Sequence, residues 1–418
     1  AGWLAFLLLF GLAKNLQGTA FISHKAADAN VPDEEAAVDE NVDLDAAFSS
    51  LLEDGYHRTY REVSRKDAIM ETIMGGHLRY KRPTWSVGAT AAQTRYDRVL
   101  DRNLAPYNQF EFEGDQNTNV GLDWNVLYRN LTWFGEGARS ANGGMAGLTG
   151  LLIALDKRLS VSMLYRDYQR DYQALNSRGF ADGSNPWNER GLYTGIELKP
   201  TRVWIINAYF DQFRFPWLRY LTNAPSAGTD AFGQVMWKPN KKVELYARAR
   251  HQMRQTNAAG VEEGIDPLVE VTQTNYRFNA SYKVDDNITL RTRVENVRYQ
   301  RGDAAPENGF LIYQDLAHRP MRSKVELTAR VAMFSTDSYN ARVYAYENDI
   351  IGLFSFPPYY GRGMRWYAMA RWSVMRGVDV WLRYGAWMYN DSDRISSGLQ
   401  ETSGNRKSDL KLEVRVKL

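Results

Sequence analysis

The sequence contains no cysteine. This excludes disulfides, thiolate catalysis and cysteine metal sites, and it is compatible with an outer-membrane location. The five histidines, His24, His57, His77, His251 and His318, are scattered and form no H-x-x-x-H metal pair. There is no G-x-S-x-G elbow and no G-x-x-x-x-G-K-[ST] phosphate loop. The glycines of NGGMAG, at 142–147, suit a hairpin turn. Since no compact Ser/His/Asp-type cluster can be assembled, no catalytic residue, metal or cofactor is expected. Net charge is only +3. A pI near 8.7 leaves room for local basic patches but points to no nucleic-acid site.

Long apolar runs are also missing. The opening AGWLAFLLLFGLA stops well short of the about 20 residues a membrane helix needs. A signal-peptide reading fails for want of a basic n-region and an A-x-A site. A strand fits better, turning at Ala13, Lys14 and Asn15, and sequence upstream of it is expected. With 24% charged residues and a negative mean hydropathy, the chain is not a helical membrane protein.

What is present is alternation. In DLKLEVRVKL, at 409–418, Leu410, Leu412, Val414, Val416 and Leu418 alternate with Lys411, Glu413, Arg415 and Lys417. Strand side chains point to opposite faces with period two, so one face is aliphatic and the other charged. The pattern recurs in pairs at 71–81 and 84–96, 117–128 and 131–140, 144–155 and 158–168, and 191–199 and 202–213. It continues at 228–237 and 242–253, 270–284 and 287–300, 308–318 and 323–334, and 363–374 and 378–389. Another strand reads at 16–24. Tight turns of Asp, Asn, Pro, Gly and Lys alternate with longer loops. The expectation is one antiparallel transmembrane β-barrel over 1–418, with about 18 or more strands, short periplasmic turns and long extracellular loops. Parity puts 335–362 outside, where Ala341 to Asp349 and GLFSFPPYY would make an external hairpin above the membrane.

Aromatics reach 13%, with 25 Tyr and 12 Trp, which suits interfacial girdles. Trp85, Trp124, Trp133, Trp204, Trp237, Trp366, Trp381, Trp387 and Tyr389 are the expected anchors. An Arg or Lys at the lipid midplane costs roughly 2–4 kcal/mol, so the charged members of each repeat must face inward. They include Arg166, Glu244, Arg248, Arg250, Arg291, Arg293, Glu295, Glu326, Arg330, Arg383, Glu413 and Arg415. Either they line a pore that favours anions, or they pair with one another and pin strand register.

The acidic loop at 25–68 carries ten carboxylates between Asp28 and Asp54. Its spacing does not match an EF-hand, so a solvated loop is expected, with a short amphipathic helix over 43–52. FRFPWLRYL, at 213–221, places Phe213, Phe215, Trp217 and Tyr220 as candidate partner contacts. Packing against neighbouring loops is the alternative.

Several phrases resemble the C-terminal barrel region of Bacteroidota outer-membrane helix-hairpin-helix domain-containing proteins. They are PENGFLIYQD (306–315), STDSYNARVYAYENDI (335–350), YYGRGMRWY (359–367) and SGLQETSGNRKSDLKLEVRV (397–416). Weaker echoes extend the likeness to nearly all of the chain. The resemblance implies an outer-membrane barrel preceded by helical modules and further strands. No residue here matches those modules, so their nucleic-acid or protein binding does not carry over. The family's final aromatic is replaced by Leu418. The expected partners are the bilayer, lipopolysaccharide and other outer-membrane subunits. The leading expectation is a non-enzymatic subunit or accessory of a larger complex for secretion, assembly or uptake, and the alternative is a passive Arg-lined porin.

Overall fold

Period-two patterning becomes nineteen long strands among the residues described by the computed structural model, which are 3–31, 47–52, 55–183, 185–258 and 266–417. They are β1 Trp3–Ala13, β2 Leu16–Ala27, β3 Ile69–Lys81, β4 Trp85–Leu100, β5 Gly114–Tyr128, β6 Leu131–Ser140 and β7 Met145–Asp156. Next come β8 Leu159–Tyr168, β9 Glu189–Thr201, β10 Trp204–Phe215, β11 Ser226–Trp237, β12 Val243–Asn257 and β13 Leu268–Lys283. The last are β14 Ile288–Arg301, β15 Glu307–His318, β16 Val325–Thr336, β17 Arg362–Met375, β18 Val378–Tyr389 and β19 Arg406–Val416. The opening apolar run is indeed a strand.

Two units are distinguished. The first comprises 1–194, 211–228 and 256–268, and the second 195–210, 229–255 and 269–418. In the first, β1 to β8 pair antiparallel in chain order. In the second, β13 to β19 do the same. The tight turns satisfy their own backbone. Asp285 Oδ1 accepts from the amides of Asn287 (2.7 Å) and Ile288 (2.8 Å), and Asn240 Oδ1 accepts from those of Lys242 and Val243. Such side-chain caps are why Asp and Asn recur at these corners.

Register sorts the two faces. Val325, Leu327, Val331 and Met333 of β16 are all exposed, and Val331 and Met333 sit opposite Trp366 and Met364 of β17. The other face aligns Glu326 with Arg371, Arg330 with Tyr367 and Ala332 with Arg365. An exposed apolar band on one face and charge on the other is the signature of strands that separate lipid from a polar interior. Trp85 and Trp133 sit opposite Val126 of β5 in register, and Trp366 opposite Val331, so these rings belong to the apolar face. Trp381, Trp387 and Tyr389 correct the girdle expectation, because they share the charged face. Trp381 lies beneath Arg371 and Arg415, and Tyr389 is buried. A strand-end position alone does not reveal which face a ring occupies.

The external hairpin is a second correction. Val343–Tyr344 and Pro358–Tyr359 do pair, but the hairpin lies against the charged face of β14 to β19 instead of rising above the strand ends. Gly309 of β15 makes room for it. A Cβ there would lie 1.8 Å from the Ala341 carbonyl oxygen, so only glycine permits this approach.

The acidic segment is a third. The expected helix at 43–52 is contradicted from Ala47 on. Ala47–Phe48 runs parallel to the end of β4, and Ser50–Leu51 pairs with Ala29–Asn30. Residues 32–46, 53 and 54, with most of the acidic run, lie outside the described residues. Phe48, Ala29, Ile69, Tyr96, Leu100 and Phe112 form a small buried core at this end of the strands. A short α-helix, Tyr60–Ser64, starts at a capping box of Thr59 and Glu62. Arg58 and the helix-start amides hold the Glu62 carboxyl down to about 2.

Asp28 ties this segment together. It accepts from the Asp67 amide (2.9 Å) and bonds His57 Nε2 (2.7 Å). The Asp67 hydrogen bond, aided by His57, holds its carboxyl below the usual aspartate value. A depressed carboxylate contributes stability that is present above its unfolded pKa and lost as pH falls through the folded one. We therefore expect the Asp67 amide resonance to stay constant from neutrality to the ordinary aspartate range and to shift only below it. Asp28→Asn is expected to abolish that step, and a step that survives the substitution would reassign it.

Candidate functional site: the inner charged face

In the second unit, six strands and the segment between β16 and β17 build one buried ionic network. Glu347 is its centre, at 1% exposure. It accepts from Arg365 Nε and Nη2 (both 3.1 Å), Arg383 Nη2 (2.5 Å) and the Tyr359 hydroxyl (2.8 Å). Arg383 also reaches Asp409 (2.8 Å) and the Asn348 carbonyl (3.1 Å), and lies 3.7 Å from Asp349. Lys411 binds Asp349 at 2.6 Å. Arg330 is held by Asp315 (2.5 and 2.8 Å) and donates to the Tyr346 carbonyl (2.6 Å). Arg293 bonds Glu295 and donates to the Tyr344 carbonyl (3.1 Å). Main-chain carbonyls at 344, 346 and 348 thus each receive one strand arginine. These buried charges are paired and hydrogen-bonded, which is the condition for burying them at all.

Alternate residues of the segment do opposite jobs. Val343, Ala345 and Glu347 are buried, while Tyr344 and Tyr346 between them are exposed. Tyr344 stacks on Phe356 (5.8 Å, 7°), Tyr346 meets Phe354 (5.7 Å), and Phe354 stacks on Phe356 (6.2 Å). Phe354 is 81% exposed. One side of the hairpin is bound to the strands, and the other presents a row of rings.

The other inner residues expected from sequence divide clearly. Glu326 pairs with Arg371 (2.9 Å), Arg415 with Asp379 (2.7 Å), Arg250 with Asp230 (2.5 Å) and Glu244 with Lys238 (2.8 Å). Glu295 also takes Arg277 at 2.7 Å. Arg248 and Arg291 have no ion pair among the described residues. Arg248 lies 6.0 Å from the Phe232 ring, and Arg291 is exposed. Sequence reasoning missed Glu347, Asp315, Arg365, Asp379 and Asp409. Each except Glu347 sits on the charged side of an alternating strand, which was the available signal.

In the first unit, Arg166 of β8 is fully buried. It donates to Glu189 (2.5 Å) and bidentately to Asp211 (2.8 and 3.0 Å), with the Phe180 and Phe213 rings close by. A Cβ on Gly191 would meet its guanidinium at 2.4 Å.

The aromatic loop is mostly inside this structure. Phe213 and Phe215 are buried, and Trp217 packs edge-on against Phe110 and donates to the Pro106 carbonyl. Tyr220 alone of the four is well exposed, at 70%. Phe213, Phe215 and Trp217 are therefore occupied by their own neighbours. The inward alternation of β10 continues through Phe215, which carries both phenylalanines under Arg166 and Arg219.

No protein-family model matches the chain, and no curated protein is significantly similar to it. Solved structures do match. A chain of the FpvAI–pyocin S2 complex aligns with 99% of this chain and 62% of its own, at a TM-score of 0.51 and 9% identity. A mutant of the ferric enterobactin receptor PfeA from Pseudomonas aeruginosa aligns with 98% of this chain and 69% of its own (TM-score 0.49, 9% identity). The FrpB iron transporter from Neisseria meningitidis aligns with 99% and 71% (TM-score 0.48, 10% identity). The chain thus spans about 62% of the first of these. At 9% identity the first of these likenesses speaks for the fold alone, and that fold agrees with the alternating faces. The chain is an outer-membrane β-barrel protein, and its place is the outer membrane of a Gram-negative bacterium.

Proposed function

We propose that this barrel is a non-enzymatic subunit or accessory of a larger outer-membrane assembly for secretion, assembly or uptake. The observation that carries the reading is Glu347, buried between Arg365 and Arg383, holding the 337–361 segment against the charged face. Arginines that would select anions in an open pore are instead spent on carboxylates and loop carbonyls. The row Tyr344, Phe356 and Phe354 then offers an apolar surface that suits a peptide partner better than a stream of hydrated ions.

His77 has a hydroxyl and a carboxylate beside it. His77 contacts Thr90 (2.8 Å) and Asp123 (3.7 Å), but both through Nδ1. A nucleophile–base–acid relay needs the two ring nitrogens to face different partners. The four phrases that resemble the Bacteroidota barrels carry Asp315, Glu347, Arg365 and Asp409, and the resemblance implies a location more than an activity.

Arg248 and Arg291 favour the alternative, a passive anion-selective porin. Planar-bilayer recording separates the two. The assembly reading expects no steady ion-selective steps from the purified protein, and co-purifying outer-membrane proteins in mild detergent. Steady steps whose selectivity changes with Arg248→Glu would establish the porin instead.

A further inference from the structure

We propose that the lipid-facing side of the first unit seats one phosphorylated lipid of the outer leaflet, with an acyl chain over Gly137 and Gly147 and its phosphate on Arg139. This goes beyond the assembly reading and stands without it. Register defines the seat. Leu122 of β5 opposes Gly137 of β6, Gly137 opposes Gly147 of β7, and Gly147 opposes Asp167 of β8. Two adjacent positions in that row therefore carry no side chain. The neighbouring rows are filled, by Trp124 and Thr149 on one side and by Val120, Arg139 and Met145 on the other. A trough of about 790 Å³ results, on the same face as the exposed Leu122 and Trp133.

The protein does not use these two glycines for its own packing. Gly135, two residues before, differs, because a Cβ there would strike the Trp124 ring, which already fills that gap. A Cβ on Gly137 would meet nothing within 4 Å, and one on Gly147 only the Glu136 carbonyl oxygen at 3.6 Å. Neither has a positive φ. A glycine inside a strand weakens it, and it often marks a place where another molecule approaches the backbone closely.

Depth and charge name the occupant. The trough lies beside the 141–144 turn, at the end of the strands that also carries the long loops 101–113 and 169–188. In a barrel with short periplasmic turns that end is the outer one, so the trough opens into the outer leaflet. Arg139 is exposed on its upper rim and has no ion pair or hydrogen bond among the described residues. Its guanidinium reaches up to the turn, where a Cβ on Gly143 would lie 3.7 Å from Nη2. An arginine stem on apolar surface with its head at the interface is placed to meet a headgroup. The carboxylate in the lining, Asp167, is already held by Arg190 at 2.8 Å, so the rim keeps its positive charge. Arginine makes charge-assisted, bidentate hydrogen bonds to phosphate. A phosphorylated lipid supplies both parts at once, an acyl chain for the trough and an anion one headgroup above it. A second barrel packed here would have to bring a carboxylate to the edge of the acyl layer.

Native mass spectrometry of the full chain, released from mild detergent, reads bound lipid directly. The probes are the phosphorylated lipid part of lipopolysaccharide, the same lipid after phosphatase treatment, and phosphatidylethanolamine. Retention of the phosphorylated lipid is expected at concentrations where the other two are lost. Arg139→Gln should weaken it about tenfold or more, as phosphatase treatment does. Gly137→Leu/Gly147→Leu fills the trough and should remove the lipid, with heat-modifiable mobility on gels unchanged. If that double variant does not fold, Gly137→Leu alone decides, because its Cβ meets nothing. Equal retention of the dephosphorylated lipid or of phosphatidylethanolamine would overturn the proposal. So would undiminished binding by Arg139→Gln or by the glycine variant, or a dimer that the glycine variant dissolves. None of these outcomes bears on the conductance test above.

Discussion

Glu347→Gln is expected to lower the stability of the folded barrel by about 3–5 kcal/mol, the usual cost of removing one partner from a buried ion pair. Glutamine keeps the volume and removes the charge. Arg365 and Arg383, at 3% and 1% exposure, would then share what is left. Asp409 reaches both, but its side chain is 34% exposed, and Asp349 is already engaged by Lys411. Two guanidinium groups out of water with too little opposing charge cannot be hydrated where they lie, so the 337–361 segment must lift or the strands must loosen. Urea unfolding in lipid vesicles would read the loss, and proteolysis within 337–361 would report the lifted segment. The double variant Glu347→Gln/Arg365→Met should recover part of the stability, because it removes a charge that Glu347 no longer balances. If the single variant unfolds at the same urea concentration as the parent, Glu347 is not what holds the hairpin down.

Most of the fold was legible because a barrel strand records its environment in every second residue. All eighteen strands read from alternation correspond to long strands, and the opening run makes the nineteenth. The ends moved by a few residues where inward-facing pattern runs on into loops, as at Phe215. The site was legible only by halves. The inner arginines could be read, because alternation says which side a residue takes. Their partners could not, because pairing depends on register between strands far apart in sequence, as for Arg365 with Asp409. Glu347 carried no such mark. In ARVYAYEND the same alternation fits a hairpin standing in water and one pressed on the barrel wall, since both have two different faces. What distinguishes them is the ring of arginines the segment lands on, and only the folded chain brings that ring together.

Both units answer the problem of inward charge in one way, by letting a loop or a neighbouring strand supply carboxylates to a strand arginine. In the second unit this secures a 25-residue hairpin, 337–361, and leaves its rings facing out. In the first it secures the start of β9 beneath the 169–188 loop, where Asp182 and Gly183 donate their amides to Glu189. That loop also lines a cavity at the ends of β2, β3 and β4.

Arg166→Met is therefore expected to destabilise the first unit strongly. Glu189 and Asp211 would be left as buried carboxylates with no cation between them, and the stability loss is again about 3–5 kcal/mol. Methionine fills most of the space beside Phe180 and Phe213, so the loss reports charge more than cavity. The triple variant Arg166→Met/Glu189→Gln/Asp211→Asn should regain most of it, because replacing a whole buried ionic group is often close to neutral. Urea unfolding of the three proteins separates these cases. A triple variant as unstable as the single one would mean that the guanidinium acts through shape, filling the space that Gly191 leaves open, and not through its charge. Gly191→Ala gives the complementary result. Its Cβ would displace the guanidinium from Glu189 and Asp211, so it should destabilise the parent strongly and the Arg166→Met variant much less.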